Sequence, residues 1–193
     1  MKLTKLDTAK RQLVTAIRLF LDDRDPVSIY SLASNAWEII DELCRKRQVD
    51  NFSNLARSNL ESGKDLKVDY INNPFRNFFK HADKDHDKEL DGFEDTHNDH
   101  LLYITVADLL KLLNKSPLEC QVYQVWYIAL YKEKFGGDDN EIVITASNAF
   151  PSMDKLSRIE QKKIGREILS EVLNNPELVN DLKTDRSEIS RWK

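Results

Sequence analysis

Apolar residues recur at three- and four-residue spacings along almost the whole chain, the signature of helices with one buried face. Leu13, Ala16, Ile17 and Phe20 share a face of a first helix predicted over 4–22. The stretch DDRDPVS interrupts the pattern. Asp25 there suits an N-cap and Pro26 a first helical turn, so a second helix opens and runs over 26–47, with Ile29, Ala33, Ala36, Ile40 and Leu43 as its stripe. A shorter helix follows over 52–63 and ends at ESGKD. Asn73 as cap and Pro74 behind it open a helix over 73–83, and an acidic loop beginning at Asp83 separates this from a helix that reaches 114, with Asn98 or Asp99 as its cap. In SPLE, Ser116 has the position of an N-cap and Glu119 that of its capping-box partner. The helix they open extends to 135 and carries Val122, Val125, Trp126, Ala129 and Leu130, with GGDDN ending it. EIVIT has the composition of a short strand but no partner strand. A long helix covers 153–174, and Pro176 begins a short terminal one.

The expected fold is therefore all-α. Short connections between successive helices favour antiparallel neighbours, giving an antiparallel up-and-down helical bundle over 1–135, with a C-terminal helical extension, 136–193, packed on it. A chain of 193 residues, 40% hydrophobic and 32% charged, can bury a real core without staples. No apolar run is long enough for a bilayer, and MKLTKLDTAKRQ has no apolar signal region, so a cytoplasmic protein with no membrane partner is expected. Cys44 and Cys120 lie far apart within helical patterns and read as reduced, buried thiols. Trp37, Trp126 and Trp192 read as packing residues. The net charge of −4 argues against a protein that grips long nucleic acid through its backbone, though not against one that clips an RNA loop. CRKRQ and EQKKIGREI read as solvated helix faces.

Chemistry concentrates in NPFRNFFKHADKDHDKELDGFE, residues 73–94. On a wheel of about 100° per residue, Phe75, Phe78, Phe79 and Ala82 fall on one side and Arg76, Asn77, Lys80 and His81 on the other. That polar face holds the groups that metal-independent RNA cleavage needs. A histidine near neutral pKa serves as general acid or base, an arginine clamps phosphate, and an asparagine orients the imidazole. Arg76 and His81 are about 140° apart on such a wheel. A site shared across a two-fold dimer, with the same face supplied twice, would overcome that separation.

The Arg76-Asn77-x-x-x-His81 spacing after two longer helices resembles the HEPN superfamily, and the second helix, SIYSLASNAWEIIDELCRKR, is similar to the corresponding helix of such domains, with small residues and an acidic residue on one stripe. NFFKHAD, ASNAFP and EQKKIG also resemble a group of small bacterial proteins. The resemblance covers about residues 1–115. It implies an antiparallel bundle that dimerises with the two motifs facing each other, and metal-independent ribonuclease activity of the toxin or defence type. It also implies an RNA substrate and a possible antitoxin or regulatory partner, with no cofactor. His81 would be the general acid/base, Arg76 the phosphate clamp and Asn77 the orienting group. Other members of such a family bind nucleotides or have lost catalysis, so a non-catalytic helical interaction or regulatory module is the alternative, and whether the chain is an enzyme stays open on sequence.

The same stretch also carries a near-match to a calcium loop over 83–94: Asp83, Asp85, Asp87, Asp91 and Glu94 at ligand positions, with Leu90 at the apolar one. Lys88 stands where a glycine with positive φ is needed, so weak calcium binding is the most this loop predicts. Its carboxylates have a second use, as partners for Arg76 and Lys80 or as neighbours that raise the His81 pKa. His97 and His100, three apart in DTHNDH, have metal-ligand spacing, but a polar helix start explains them equally well.

Overall fold

Reciprocal capping starts the first helix. In the computed structural model, which describes residues 2–83 and 86–187, the Asp7 amide donates to Thr4 Oγ1 and the Thr4 amide donates back to the Asp7 carboxylate, each at 3.0 Å, opening α1 (Lys5–Leu21). Asp25 caps α2 (Pro26–Lys46) by accepting from the Ser28 amide at 2.8 Å, with Pro26 in the first turn. Only residues 22–25 join these two helices, which pack on each other along their length as a hairpin. The other flank of α2 lies on α5 (His97–Leu113), which also carries α3 (Phe52–Ser58). α6 (Leu118–Leu130) closes against α1 and α5. The shared core holds Leu13, Ile17 and Phe20 from α1, Ile29, Trp37 and Ile40 from α2, Leu102 and Leu109 from α5, and Tyr123 and Trp126 from α6. Phe20 sits edge-on to Tyr123 and Trp126, with ring centroids 5.4 and 5.2 Å away. Burial of large apolar side chains like these contributes about 1.5–3 kcal/mol each. The described residues are helical with no strand. No helix among them is long and apolar enough to cross a membrane.

The C-terminal helices α7 (Glu141–Ala149), α8 (Arg158–Asn174) and α9 (Pro176–Asn180) follow. Val143, Ala146, Phe150, Met153 and Leu169 enter the same continuous core. Gly165 sets how closely α8 approaches. A Cβ there would lie 2.6 Å from Leu21 Cδ2 and 3.1 Å from Trp126 Cδ1, so a side chain at this position would have to displace the Leu21 methyl and press on the indole. Beyond α9, Asp185 is tied to α1 by an ion pair with Lys10 at 2.8 Å, both side chains buried.

Several local expectations change. EIVIT is the start of α7 and not a strand. The Asn140 side chain caps it through the Ile142 amide at 3.0 Å, and Val143 and Ala146, three apart, are its buried positions. A lone strand leaves its backbone groups without partners, whereas a helix satisfies them internally. Ser116 does not cap α6, which starts behind Pro117. The Ser116 amide and carbonyl bond instead to the Lys183 carbonyl and the Asp185 amide, and Glu119 turns away to pair with Arg18 at 2.6 Å. α6 ends at Leu130, and a single 3₁₀ turn, Lys132–Phe135, takes the chain on to Gly136. Asn98 and Asp99 do not cap α5. Both lie buried inside its first turn. Trp192 lies outside the described residues.

Cys44 and Cys120 are free and buried, and burial raises both thiols, Cys44 to about 11. Beside Cys44, Asp108 is fully buried on α5 and docks α3. It accepts from the Ser53 amide at 3.0 Å and the Ser53 hydroxyl at 2.5 Å, and that hydroxyl accepts from Trp37 Nε1 at 2.9 Å. Burial raises the Asp108 carboxyl to about 6, ahead of the lowering from these hydrogen bonds. A folded-state pKa above the ordinary 3.8 means that protonation favours the fold. The contribution is present in full below about pH 4 and is lost as pH rises through about 6, a change on the order of 3 kcal/mol. Asp108→Asn should remove this slope from the pH dependence of unfolding between pH 4 and 6. A slope equal to that of the parent chain would assign it to other groups.

Candidate functional site

The helix that carries the Arg-x4-His motif begins earlier than its sequence suggests. Asp65 caps it, accepting from the Val68 amide at 2.7 Å, and residues Leu66–Arg76 are wound as a π-helix that runs directly into α4 (Asn77–Lys80). The Asn77 amide reaches the Asn72 carbonyl, five residues back. Pro74 lies inside this helix and does not open it. Proline has no N–H to give and crowds the carbonyl four residues earlier, so an α-register would be broken here. In π-winding the register step is five residues. The buried positions Leu66, Ile71 and Arg76 follow that step and form one inward stripe. This corrects the wheel drawn at α-helical pitch. Arg76 is turned inward and is 9% exposed, and Ala82 is exposed.

Arg76 reaches α2. Its Nη2 lies 2.6 Å from Glu38 Oε2 and donates to Asn35 Oδ1 at 3.0 Å, and its Nη1 donates to Asn72 Oδ1 at 3.1 Å. Burial pushes the Glu38 carboxyl up, but its bonds to Lys67 and Arg76 outweigh this and hold it below the ordinary range. The partner of Arg76 is thus Glu38 and not the acidic loop that follows the helix. Glu38 and Asn35 are the residues that sequence reading passed over. Their signal was a polar pair three apart in SNAWE. Asn77 is exposed and donates to Asn73 Oδ1 at 3.1 Å. His81 is exposed just beyond α4, with its amide on the Asn77 carbonyl at 2.9 Å. No hydrogen bond or ion pair links the His81 ring to any described residue, Arg76 included. The helix therefore separates its two motif residues, with the guanidinium locked inside and the imidazole free at the surface beside Asn77 and Lys80.

The opposite side of the same helix is aromatic. Phe75, Phe79, Phe93 and Tyr30 pack with centroids 4.9–5.9 Å apart in the pairs that Phe93 and Tyr30 make, and the His97 ring lies 4.6 Å from that of Phe75. Next to this cluster is a cavity of about 480 Å³ between the π-helix, α5 and the end of α6. Its walls include Tyr70, Phe75, Tyr103, Tyr127 and Phe135, with His100 and Lys134 as polar members. His100 Nδ1 is 2.6 Å from the Tyr127 hydroxyl. Burial lowers the His100 pKa and the nearby Lys134 charge lowers it further, while burial raises Tyr127. The short bond holds the imidazole and the phenol together at the cavity wall. His97 and His100 both line the cavity, but their rings have separate partners. His97 Nδ1 is 3.0 Å from the Glu94 amide nitrogen.

Behind the cavity a charged cluster fixes α8. Arg158 grips Asp99 of α5 with two bonds, at 2.9 and 2.5 Å, and Asp95 at 2.7 Å. Tyr131 donates to Asp99 at 2.6 Å, and Lys162 bonds Asp95 at 2.7 Å and Asp23 at 2.8 Å. The guanidinium also lies over the Phe20 and Trp126 rings, 4.9 and 5.4 Å from their centroids. Burial pulls the Arg158 pKa down, but the Asp99 and Asp95 bonds override it and raise it.

In the acidic loop, Asp85 lies outside the described residues. The positive φ falls at Gly92, and the Glu94 amide is occupied by His97. Among the described residues no group of three His, Cys, Asp or Glu side chains is placed to hold a metal ion. Comparison with protein-family models, with curated proteins and with solved structures finds no match to this chain.

Arg158→Met strands the wholly buried Asp99 carboxylate. We expect a loss of about 3–5 kcal/mol in denaturant unfolding, with most of it recovered in Arg158→Met/Asp99→Asn. A single variant as stable as the parent would show that the cluster contributes no net stability.

Proposed function

We propose that the chain is a metal-independent ribonuclease built on a HEPN-like up-and-down bundle and cutting RNA at a site shared by two copies. The observation that carries this reading is the end of the 66–80 helix, where the free imidazole of His81 stands exposed beside Asn77 and Lys80, on the same helix as a guanidinium held in place by Glu38. His81 of one copy takes the proton from a ribose 2′-hydroxyl. That oxygen bonds to phosphorus as the P–O5′ bond breaks, and His81 of the partner subunit gives a proton to the departing O5′, leaving a 2′,3′-cyclic phosphate and a 5′-hydroxyl. Asn77 orients the imidazole. Arg76 serves as phosphate clamp when Asn35 and Asn72, which are neutral acceptors, yield to phosphate oxygens, since charge-assisted bonds are roughly twice as strong. An antitoxin or regulatory protein would act by covering this exposed face.

The engagement of both terminal nitrogens of Arg76 within the chain favours a second reading, a non-catalytic interaction module in which the Arg76–Glu38 pair only fastens the helix to α2. One experiment separates the two. Under the first, the purified chain digests RNA with EDTA present and leaves 5′-hydroxyl ends. His81→Ala then slows cleavage at least about 100-fold without moving the melting temperature, because the side chain is exposed. Equal cleavage by parent and variant overturns the catalytic assignment, and no cleavage by either supports the module.

A further inference from the structure

The aromatic cavity beside the 66–80 helix lies outside the proposed RNA site. Its walls take Leu66, Tyr70, Ile71 and Phe75 from the π-helix, and neither Arg76 nor His81 is among them. Its volume of about 480 Å³ lies within the range of small-molecule sites. Tyr103 and Tyr127 stack with centroids 4.1 Å apart, and Phe135 stands nearly perpendicular to Tyr127 at 6.1 Å, so ring faces and ring edges both border the space. Aromatic walls of this kind suit a flat ring system.

Among the described residues, Lys134 is the one lysine or arginine in the lining of the cavity, beside His97 and His100. Lys134 has no ion-pair partner among the described residues, while its neighbour Lys132 is paired with Asp138 at 3.2 Å. His100 is held by the Tyr127 hydroxyl through Nδ1. No carboxylate lines the cavity among the described residues. Of the acids whose charge reaches His100, Asp99 is already gripped by Arg158, and Glu133 lies beside Lys134 in the chain, outside the lining. The site thus joins an apolar, aromatic-walled volume to an ammonium, with no carboxylate among the described residues of its walls.

We propose that this cavity binds a small planar aromatic acid, with its rings against the Tyr70, Phe75 and Phe135 walls and its anionic group at Lys134. The occupant is a free small molecule of two or three fused rings, recognised by stacking and by one charge.

Titration calorimetry on the intact chain with 2-naphthoate tests this, with 2-naphthalenemethanol as the neutral counterpart of the same shape. We expect one saturable site that prefers the acid at least ten-fold. Lys134→Met should abolish that preference and leave the alcohol affinity unchanged. Ile104→Trp, which fills the cavity, should remove binding of both. If that variant does not fold, nuclear Overhauser contacts from the naphthalene protons to Leu101 and Ile104 in the parent chain locate the ligand instead. No saturable binding of 2-naphthoate overturns the proposal. So does a preference that survives Lys134→Met, unchanged binding in a folded Ile104→Trp variant, or the absence of those contacts.

Discussion

A carboxylate with no exposed surface is tolerated only when its charge is answered on the spot, and Asp99 is answered by Arg158. Much of the molecule follows from that pairing. It fixes α8 against α5 and holds the guanidinium over Phe20 and Trp126. It also draws the Tyr131 hydroxyl inward from the end of α6. Lys162, one turn further along α8, repeats the device with Asp95 and Asp23. Gly165, on the same helix, removes the side chain that would keep it away from Leu21. The C-terminal helix is thus held by a charged side and a close-packed side together.

The chain of polar contacts does not stop there. Tyr131 and Tyr127 lie one turn apart, and the Tyr127 hydroxyl bonds to His100 Nδ1 at the cavity wall. On the other side of the cavity, Ile71 and Phe75 belong to the helix that also supplies Arg76 to α2. A single helix therefore separates an apolar chamber from a polar face, and a change in its position alters both.

Most of the helical layout was legible in the sequence because caps and stripes agree. Asp25 with Pro26, and Leu13 with Ile17 and Phe20, state their roles locally. EIVIT misled because β-branched residues suggest a strand when no partner is in view, and the Asn140 cap decided otherwise. SPLE misled because Glu119 had a better partner on α1, a contact that no local pattern encodes. At the candidate site the types of residue were legible and their directions were not. Arg76, Asn77 and His81 were visible as a motif. That Arg76 faces Glu38 depends on the pitch of the helix, and Tyr103, Tyr127 and Lys134 around the cavity come from segments more than 20 residues further along the chain.

The wide winding of residues 66–76 has a meaning for the surface as well as for packing. Coil pitch here decides which side of the helix carries a positive charge. Pro74 bars the tighter register, so the guanidinium stays turned in on Glu38. A proline and a wide coil together thus decide that the outer skin of this helix end is written by Asn77, Lys80 and His81 alone.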